Sequence, residues 1–291
     1  MSSLAVLLVN PAAGSFKEQN IQQVEDLLKK RGLAVEVLLS KERGEIETLA
    51  KGSLELSPEM VFVVGGDGTF NEAVNGLVHS EVPVSFIPSG TANVVAIELD
   101  IPGKINWAVK NALGGEMHRI SLGKVTNKSG LLRYFIMMAG AGFDAETVYG
   151  ISSKVKKISG KGSFIVSGAK VLHKYDPEPI TIRTNGAESV GYTVIVGNGS
   201  CYAGKFKMTP DAALFSPYFY VYVIKNNSRF SLVKTIVKLL NTSHTRSKDV
   251  SYFRTQSLTL EGSSHIQVDG DYLGKLPVDI AIERECLNIM C

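Results

Sequence analysis

Apolar residues fall in two rhythms along this chain, and the rhythm changes once. Over the first 115 or so residues, unbroken apolar runs alternate with stripes at helical spacing. Positions 4–9, 35–39, 60–64 and 84–87 are runs of the first kind and read as buried strands. Between the first two, Ile21, Val24, Leu27 and Leu28 line one face of a helix that stops at Gly32. A more polar helix fits around 46–51 and another over 70–79. Ser15–Glu18 and Thr69–Glu72 have the spacing of a capping box and mark helix starts. The order β-α-β-α-β-α-β predicts a parallel sheet with helices on both faces.

Past Gly115 the runs shorten and become β-branched or aromatic, with turn residues between them. Positions 118–125, 131–139, 180–183, 192–196, 218–224 and 257–260 read as strands. Helical patterns are few, at 154–174 in part and at 230–240. The whole predicts an α/β domain over 1–115 followed by a mainly antiparallel β-sandwich domain over 116–291, whose last strand returns to the first domain. With 291 residues the chain is long enough for two cores.

Composition narrows this picture little. Apolar content of 44% and charged content of 20% are those of an ordinary globular protein. No apolar run approaches the roughly 18 residues of a membrane span, and the first run is too short for a signal-peptide core. Cys201, Cys286 and Cys291 make neither a disulfide framework nor a metal cluster, so a reducing cytoplasm is the expected compartment. A net charge of +3 is too mild to indicate nucleic acid. Lysines 154, 156, 157, 161, 170 and 174 surround an apolar stretch at 163–172. A solvated helix face is the simpler account, and peripheral contact with an anionic membrane is the other. An exposed edge of the β domain leaves room for a homodimer.

Chemistry concentrates in three glycine turns, each after a predicted strand and before a predicted helix. They are Asn10-Pro11-Ala12-Ala13-Gly14, Gly65-Gly66-Asp67-Gly68-Thr69 and Pro88-Ser89-Gly90-Thr91-Ala92-Asn93. Glycine admits positive φ and lets a ligand reach the backbone, and free N–H groups at a helix start bind phosphate. One such turn is weak; three at the carboxyl edge of one sheet are a nucleotide-phosphate site in outline. None matches a P-loop or a Gly-x-Gly-x-x-Gly dinucleotide fingerprint.

The strings NPAAG, GGDGTFNEA and PSGTANVVA resemble the diacylglycerol kinase catalytic domain family, in particular its soluble bacterial lipid kinases. The likeness extends to Gly140-Ala141-Gly142-Phe143-Asp144-Ala145 and to Val268-Asp269-Gly270-Asp271, so it spans nearly the whole chain. It implies an ATP- and magnesium-dependent lipid kinase with its active site in a cleft between the domains. The substrate would be diacylglycerol or a related lipid alcohol presented at a membrane surface. Asn10 to Gly14, Ser40, Gly65, Gly66, Asp67, Gly68, Thr69, Phe70, Asn71, Glu72, Gly90, Thr91 and Asn93 would then hold ATP. Asp67 would order magnesium through water, and a carboxylate of the second domain, Asp271 or Asp269, would accept the hydroxyl proton.

Two departures stand against that family. Its members read Asp-Gly-Glu where this chain has Asp269-Gly270-Asp271, one methylene shorter. Relatives also hold a structural magnesium with several carboxylates, whereas the matching stretch 209–219 offers only Asp211, so that metal site is expected to be absent. A catalytically weak nucleotide- or lipid-binding protein is therefore one alternative. An NAD kinase, which shares GGDGT, is another. Asp144 reads most simply as a helix N-cap, and Trp107 as a core or interdomain packing residue. His79, His118, His173, His244 and His265 have no ligand spacing.

Overall fold

The computed structural model describes residues 3–12, 17–154, 176–228, 238 and 244–291. Two compact units emerge, Met1–Ser121 with Arg284–Cys291 and Leu122–Glu283. The lysine-rich stretch beyond Lys154 and the helix expected at 230–240 lie outside the described residues, Lys238 excepted.

In the first unit, β1 (Leu4–Val9), α1 (Glu18–Lys29), β2 (Ala34–Leu39), α2 (Glu45–Ser53), β3 (Met60–Gly65), α3 (Asp67–Leu77) and β4 (Val84–Pro88) follow in the expected alternation, then α4 (Val94–Glu98) and α5 (Ile105–Gly114). The strands pair in parallel in the order β2-β1-β3-β4. From β1 the chain moves one way to β2, then crosses back and moves the other way to β3 and β4. The carboxyl ends of β1 and β3 thus flank the point where strand order reverses, which is where open α/β sheets take ligands. Helices α1 and α5 pack together, as do α2 and α3. Burial of Phe62, Leu7, Leu8 and of the Phe70–Phe86 stack (centroids 4.6 Å apart) drives this half together.

Three local expectations give way here. Helix α3 starts at Asp67 with Gly66 as its flanking residue, three positions before a Thr69 cap would allow, and no side chain caps it. Thr69 is instead buried within the first turn. Helix α1 starts at Glu18 after an extended Lys17, which rules out a start at Ser15. Trp107 is not a core residue: α5 buries Ala108, Val109 and Ala112, which turns Trp107 outward, 56% exposed beneath the Lys110 ammonium.

The second unit is a sandwich of two antiparallel sheets, reached through β5 (Met117–Thr126). One face is β6 (Leu132–Phe135) beside β5, with β8 (Ile180–Thr184), β9 (Ala187–Gly191), β15 (Ser257–Glu261) and the first part of β18 (Val278–Met290). The other runs β14 (Val250–Thr255), β13 (Phe219–Ile224), β10 (Thr193–Gly197), β7 (Met138–Gly142), β16 (His265–Val268), β17 (Asp271–Lys275). A short hairpin, β11 (Cys201–Tyr202) and β12 (Phe206–Lys207), and helix α6 (Phe143–Lys154) complete it. Alternate residues from both sheets meet in one apolar core, including Phe135, Ile182, Leu260 and Ile280 against Val194, Phe219, Val221 and Ile266. The end of β18 lies parallel to β4 of the first unit, with Ile289 opposite Val84.

The run expected at 131–139 is two strands, broken at Ile136–Met137. The cause lies in a distant residue. The backbone N–H groups of Ile136, Met137 and Met138 donate to the Asp269 carboxylate rather than to a neighbouring strand, at 2.6, 2.9 and 2.9 Å.

Candidate active site

The phosphate-type turns of the first unit sit side by side at the carboxyl edge of its sheet, and they are tied to one another. The Asn10 amide donates to Thr69 Oγ1 (3.1 Å), while its own oxygen accepts from Ala12 N–H (2.9 Å) and closes the turn after β1. Ser40 N–H donates to Val9 O, and Ser89 N–H to Gly65 O at 2.7 Å. Asn93, at φ 49°, closes the third turn, accepting from Gly90 N–H (2.9 Å) and donating back to Gly90 O (3.0 Å). Ala13 and Gly14 lie outside the described residues.

Each glycine of GGDGT has a different reason to be there. A Cβ on Gly65 would sit 2.5 Å from the Thr69 side chain, so Gly65 makes room for a residue of its own motif. Gly66 faces Gly90 across the gap between two turns, and a Cβ on Gly90 would lie 2.6 Å from Gly66 Cα. At Gly68 an added Cβ would meet nothing within 4 Å. Packing therefore does not demand that third glycine; it leaves an open backbone surface at the helix start.

Asp67 has structural work of its own. Its carboxylate accepts from Val95 N–H at 3.1 Å, with the amides of Asn93 and Val94 also turned toward it, so it holds the third turn. Burial pushes its pKa above the usual carboxylate value, and those amides pull it part of the way back. Phe70 lies wholly in the core, and Asn71 and Glu72 are buried. Glu72 accepts from Gly44 N–H (3.1 Å), which fixes the loop after β2 against α3. These three support the site from below; Thr91 is exposed at its rim.

In the second unit, Asp269 and Gly270 form a two-residue turn between β16 and β17, with φ of 47° and 86°. The Asp269 carboxylate accepts from the three N–H groups of residues 136–138, and its own N–H donates to Met138 O (2.9 Å). From the other side, Asn198 donates its amide to Ile136 O (2.7 Å) and its backbone N–H to Met137 O (2.8 Å). Asp271, half-buried at the start of β17, follows directly.

Asp144 does not cap a helix. It is the second residue of α6, and its buried carboxylate accepts from the Tyr202 hydroxyl and from Gln267 Nε2 (2.5 Å). Gln267 in turn accepts from Gly270 N–H (2.7 Å). Burial raises the pKa of Asp144, against the pull of these two donors; burial and then the Asp144 charge raise Tyr202 far above an ordinary phenol. Asn198, Tyr202 and Gln267 were not singled out from sequence. Gly197-Asn198-Gly199 has the composition of a turn, but nothing in a linear reading points Gln267 at Asp144, 123 positions away.

Among the described residues no three His, Cys, Asp or Glu side chains converge as metal ligands. Asp211 is exposed, with its backbone N–H on the Tyr252 hydroxyl (3.3 Å). No helix among these residues is long and apolar enough to cross a membrane.

Comparison with known proteins agrees with both halves. The diacylglycerol kinase catalytic domain model matches residues 4–125, and the YegS C-terminal NAD kinase beta sandwich-like domain model matches 137–291. A diacylglycerol kinase of Staphylococcus saprophyticus subsp. saprophyticus is 29% identical over 285 residues, covering 95% of this chain and 92% of that one. The diacylglycerol kinase of Staphylococcus carnosus is 28% identical over 99% of this chain and 95% of its own length. Among solved structures, one from Bacillus anthracis str. Sterne superposes with a TM-score of 0.79 at 20% identity, covering 99% of this chain and 97% of that chain. A crystal structure of a diacylglycerol kinase from the same strain gives 0.74 at 19%, with the same coverage.

Proposed function

We propose that this chain, which belongs to the diacylglycerol kinase catalytic domain family and is a lipid kinase, transfers the γ-phosphoryl group of ATP to the hydroxyl of diacylglycerol or a related lipid alcohol. The observation that carries the nucleotide half is the cross-tied set of turns at the point where strand order reverses, with open backbone at Gly68. Amides of Gly66, Gly68 and Thr69 are the groups we assign to phosphate oxygens. Asp67 accepts from Val95 N–H through Oδ1, and Oδ2 is the oxygen we assign to a magnesium-bound water. Magnesium would neutralise charge on the phosphates.

Phosphoryl transfer asks the protein mainly to position the reactants and to take one proton. The lipid oxygen forms its bond to the γ-phosphorus as the bond from that phosphorus to the β-γ bridging oxygen breaks, and the hydroxyl proton must leave. Asp271 is the acceptor we favour over Asp269. The Asp269 carboxylate already receives three backbone N–H groups and is committed to holding the bend at residues 136–138.

The test is transfer of labelled γ-phosphate from ATP, with magnesium, into mixed micelles of candidate lipid alcohols, with NAD as a competing acceptor. Label in a lipid, lost in Asp67→Asn, whose amide oxygen can still accept from Val95 N–H, while that variant keeps its melting temperature within a few degrees, is the expected result. Label in NAD alone would reassign the chain to an NAD kinase. ATP binding with no labelled product would leave a nucleotide-binding protein without chemistry.

A further inference from the structure

We infer that Gln267 is a positioning residue for phosphoryl acceptance: it sets the turn that carries Asp271, and buried Asp144 sets Gln267. The inference rests on the kinase reading above. Its two hydrogen bonds run in opposite senses, Nε2–H to Asp144 Oδ2 and Gly270 N–H to Oε1. One side chain must therefore donate at one end and accept at the other, which glutamine does and glutamate or leucine does not. Gly270 is exposed, and water would satisfy its N–H equally well. A buried side chain held at 2% exposure is used there instead, and that fixes the residue next to Asp271.

The surroundings are shaped for this link. Gly140 on β7 lies opposite Gln267 in the ladder. A Cβ there would stand 2.0 Å from Asp144 Oδ2 and 2.8 Å from Gln267 Nε2, so the glycine leaves the space in which the two side chains meet. Tyr202, beside the turn of the β11–β12 hairpin, holds the other Asp144 oxygen. Asp269 anchors the first residue of the turn to backbone and Gln267 anchors the second. Asp271 inherits its direction from both.

The experiment compares wild type, Gln267→Met and the double variant Asp144→Asn/Gln267→Met, which also removes the buried charge that the single variant leaves short of a donor. Steady-state kinetics with ATP and a lipid acceptor are read beside amide hydrogen exchange at Gly270. Both variants should lose about 10- to 100-fold in kcat, the scale of a misplaced reacting group, with KM for ATP within about twofold. Gly270 exchange should quicken in both, while the β16–β17 ladder stays protected. Wild-type kcat in either variant would overturn the assignment, as would a fall in kcat with Gly270 protection unchanged. Recovery of kcat in the double variant would also overturn it, since the single variant's defect would then be instability. A wild-type protein that transfers nothing refutes the kinase reading itself; one that transfers but ignores Gln267 refutes only this inference.

Discussion

In the proposed mechanism the backbone is the working surface around Gly65–Thr69, and side chains such as Asn10, Asp67 and Asn93 stitch one turn to the next. Around Asp269–Asp271 the proposed working group is a side chain, and the backbone is what gets pinned, by Asp269, Asn198 and Gln267. The first arrangement suits a polyanion, which needs many N–H donors at short range and no bulk in the way. The second suits a proton acceptor, which needs one carboxylate held in one direction. Their costs differ too. The phosphate turns depend on close approach, where an added methyl group collides; the acceptor turn depends on a buried ionisable network, which is expensive to desolvate.

The sharpest break in that comparison is Asp271→Asn. If the acceptor half works through this carboxylate, kcat should fall by about 10²–10⁴-fold, the usual contribution of a positioned proton acceptor. ATP affinity, measured by nucleotide-dependent thermal stabilisation, should hold. The same loss in Asp269→Asn with wild-type rates in Asp271→Asn would reverse the two roles. Unchanged rates in both would pass the proton to water.

A pair of alanine substitutions separates the glycines of the phosphate half. Gly90→Ala places a Cβ 2.6 Å from Gly66 Cα and 2.8 Å from Asn93 Oδ1, so two turns must part. Transfer should drop by roughly 100-fold, as expected when reacting groups shift by about 1 Å, and the melting temperature should fall. Gly68→Ala meets open space, and alanine favours a helix by about 1 kcal/mol over glycine. That variant should melt no lower than wild type, yet bind ATP more weakly if phosphate approaches the backbone there. Unaltered ATP affinity in a stable Gly68→Ala protein would move the phosphates away from this turn.

Legibility from sequence divides along the same line. The turns of the proposed phosphate half are legible because each is local: strand, glycines and helix start lie within ten residues, and the parallel order follows from the alternation of elements. What sequence missed there was tertiary. Thr69 looks like a cap by spacing, but Asn10 claims its hydroxyl from 59 positions away. Trp107 looks like a core residue by size, but the small residues Ala108, Val109 and Ala112 are the face that packs. The acceptor half is assembled from residues 136–138, 144, 198, 202 and 267–271. Only its Asp-Gly-Asp turn has a local signature; Gln267 sits in an ordinary strand, and its role exists only once β16 lies beside β7 and α6.

The smallest effect expected is also the most direct probe of what the acceptor half costs. Burial raises the Asp144 pKa above its ordinary value of 3.8, so the folded protein holds this proton more tightly than the unfolded chain does. Between the unfolded and folded pKa values the folded state carries the extra proton, and stability from this group falls as pH rises through that window. Above the folded pKa the penalty is complete; below about 3.8 it vanishes. Asp144→Asn cannot ionise and keeps the geometry. Its carbonyl oxygen accepts from Gln267 Nε2, and its amide donates to a Tyr202 hydroxyl turned to accept. The variant should therefore melt higher than wild type at neutral pH, each unit of pKa shift being worth about 1.4 kcal/mol. The gap should close as both are titrated toward about pH 4, and using the difference between the two curves cancels every other titrating group. A variant less stable than wild type at neutral pH would mean that the charged hydrogen bonds from Tyr202 and Gln267 outweigh desolvation. The buried network would then stabilise the acceptor half rather than burden it.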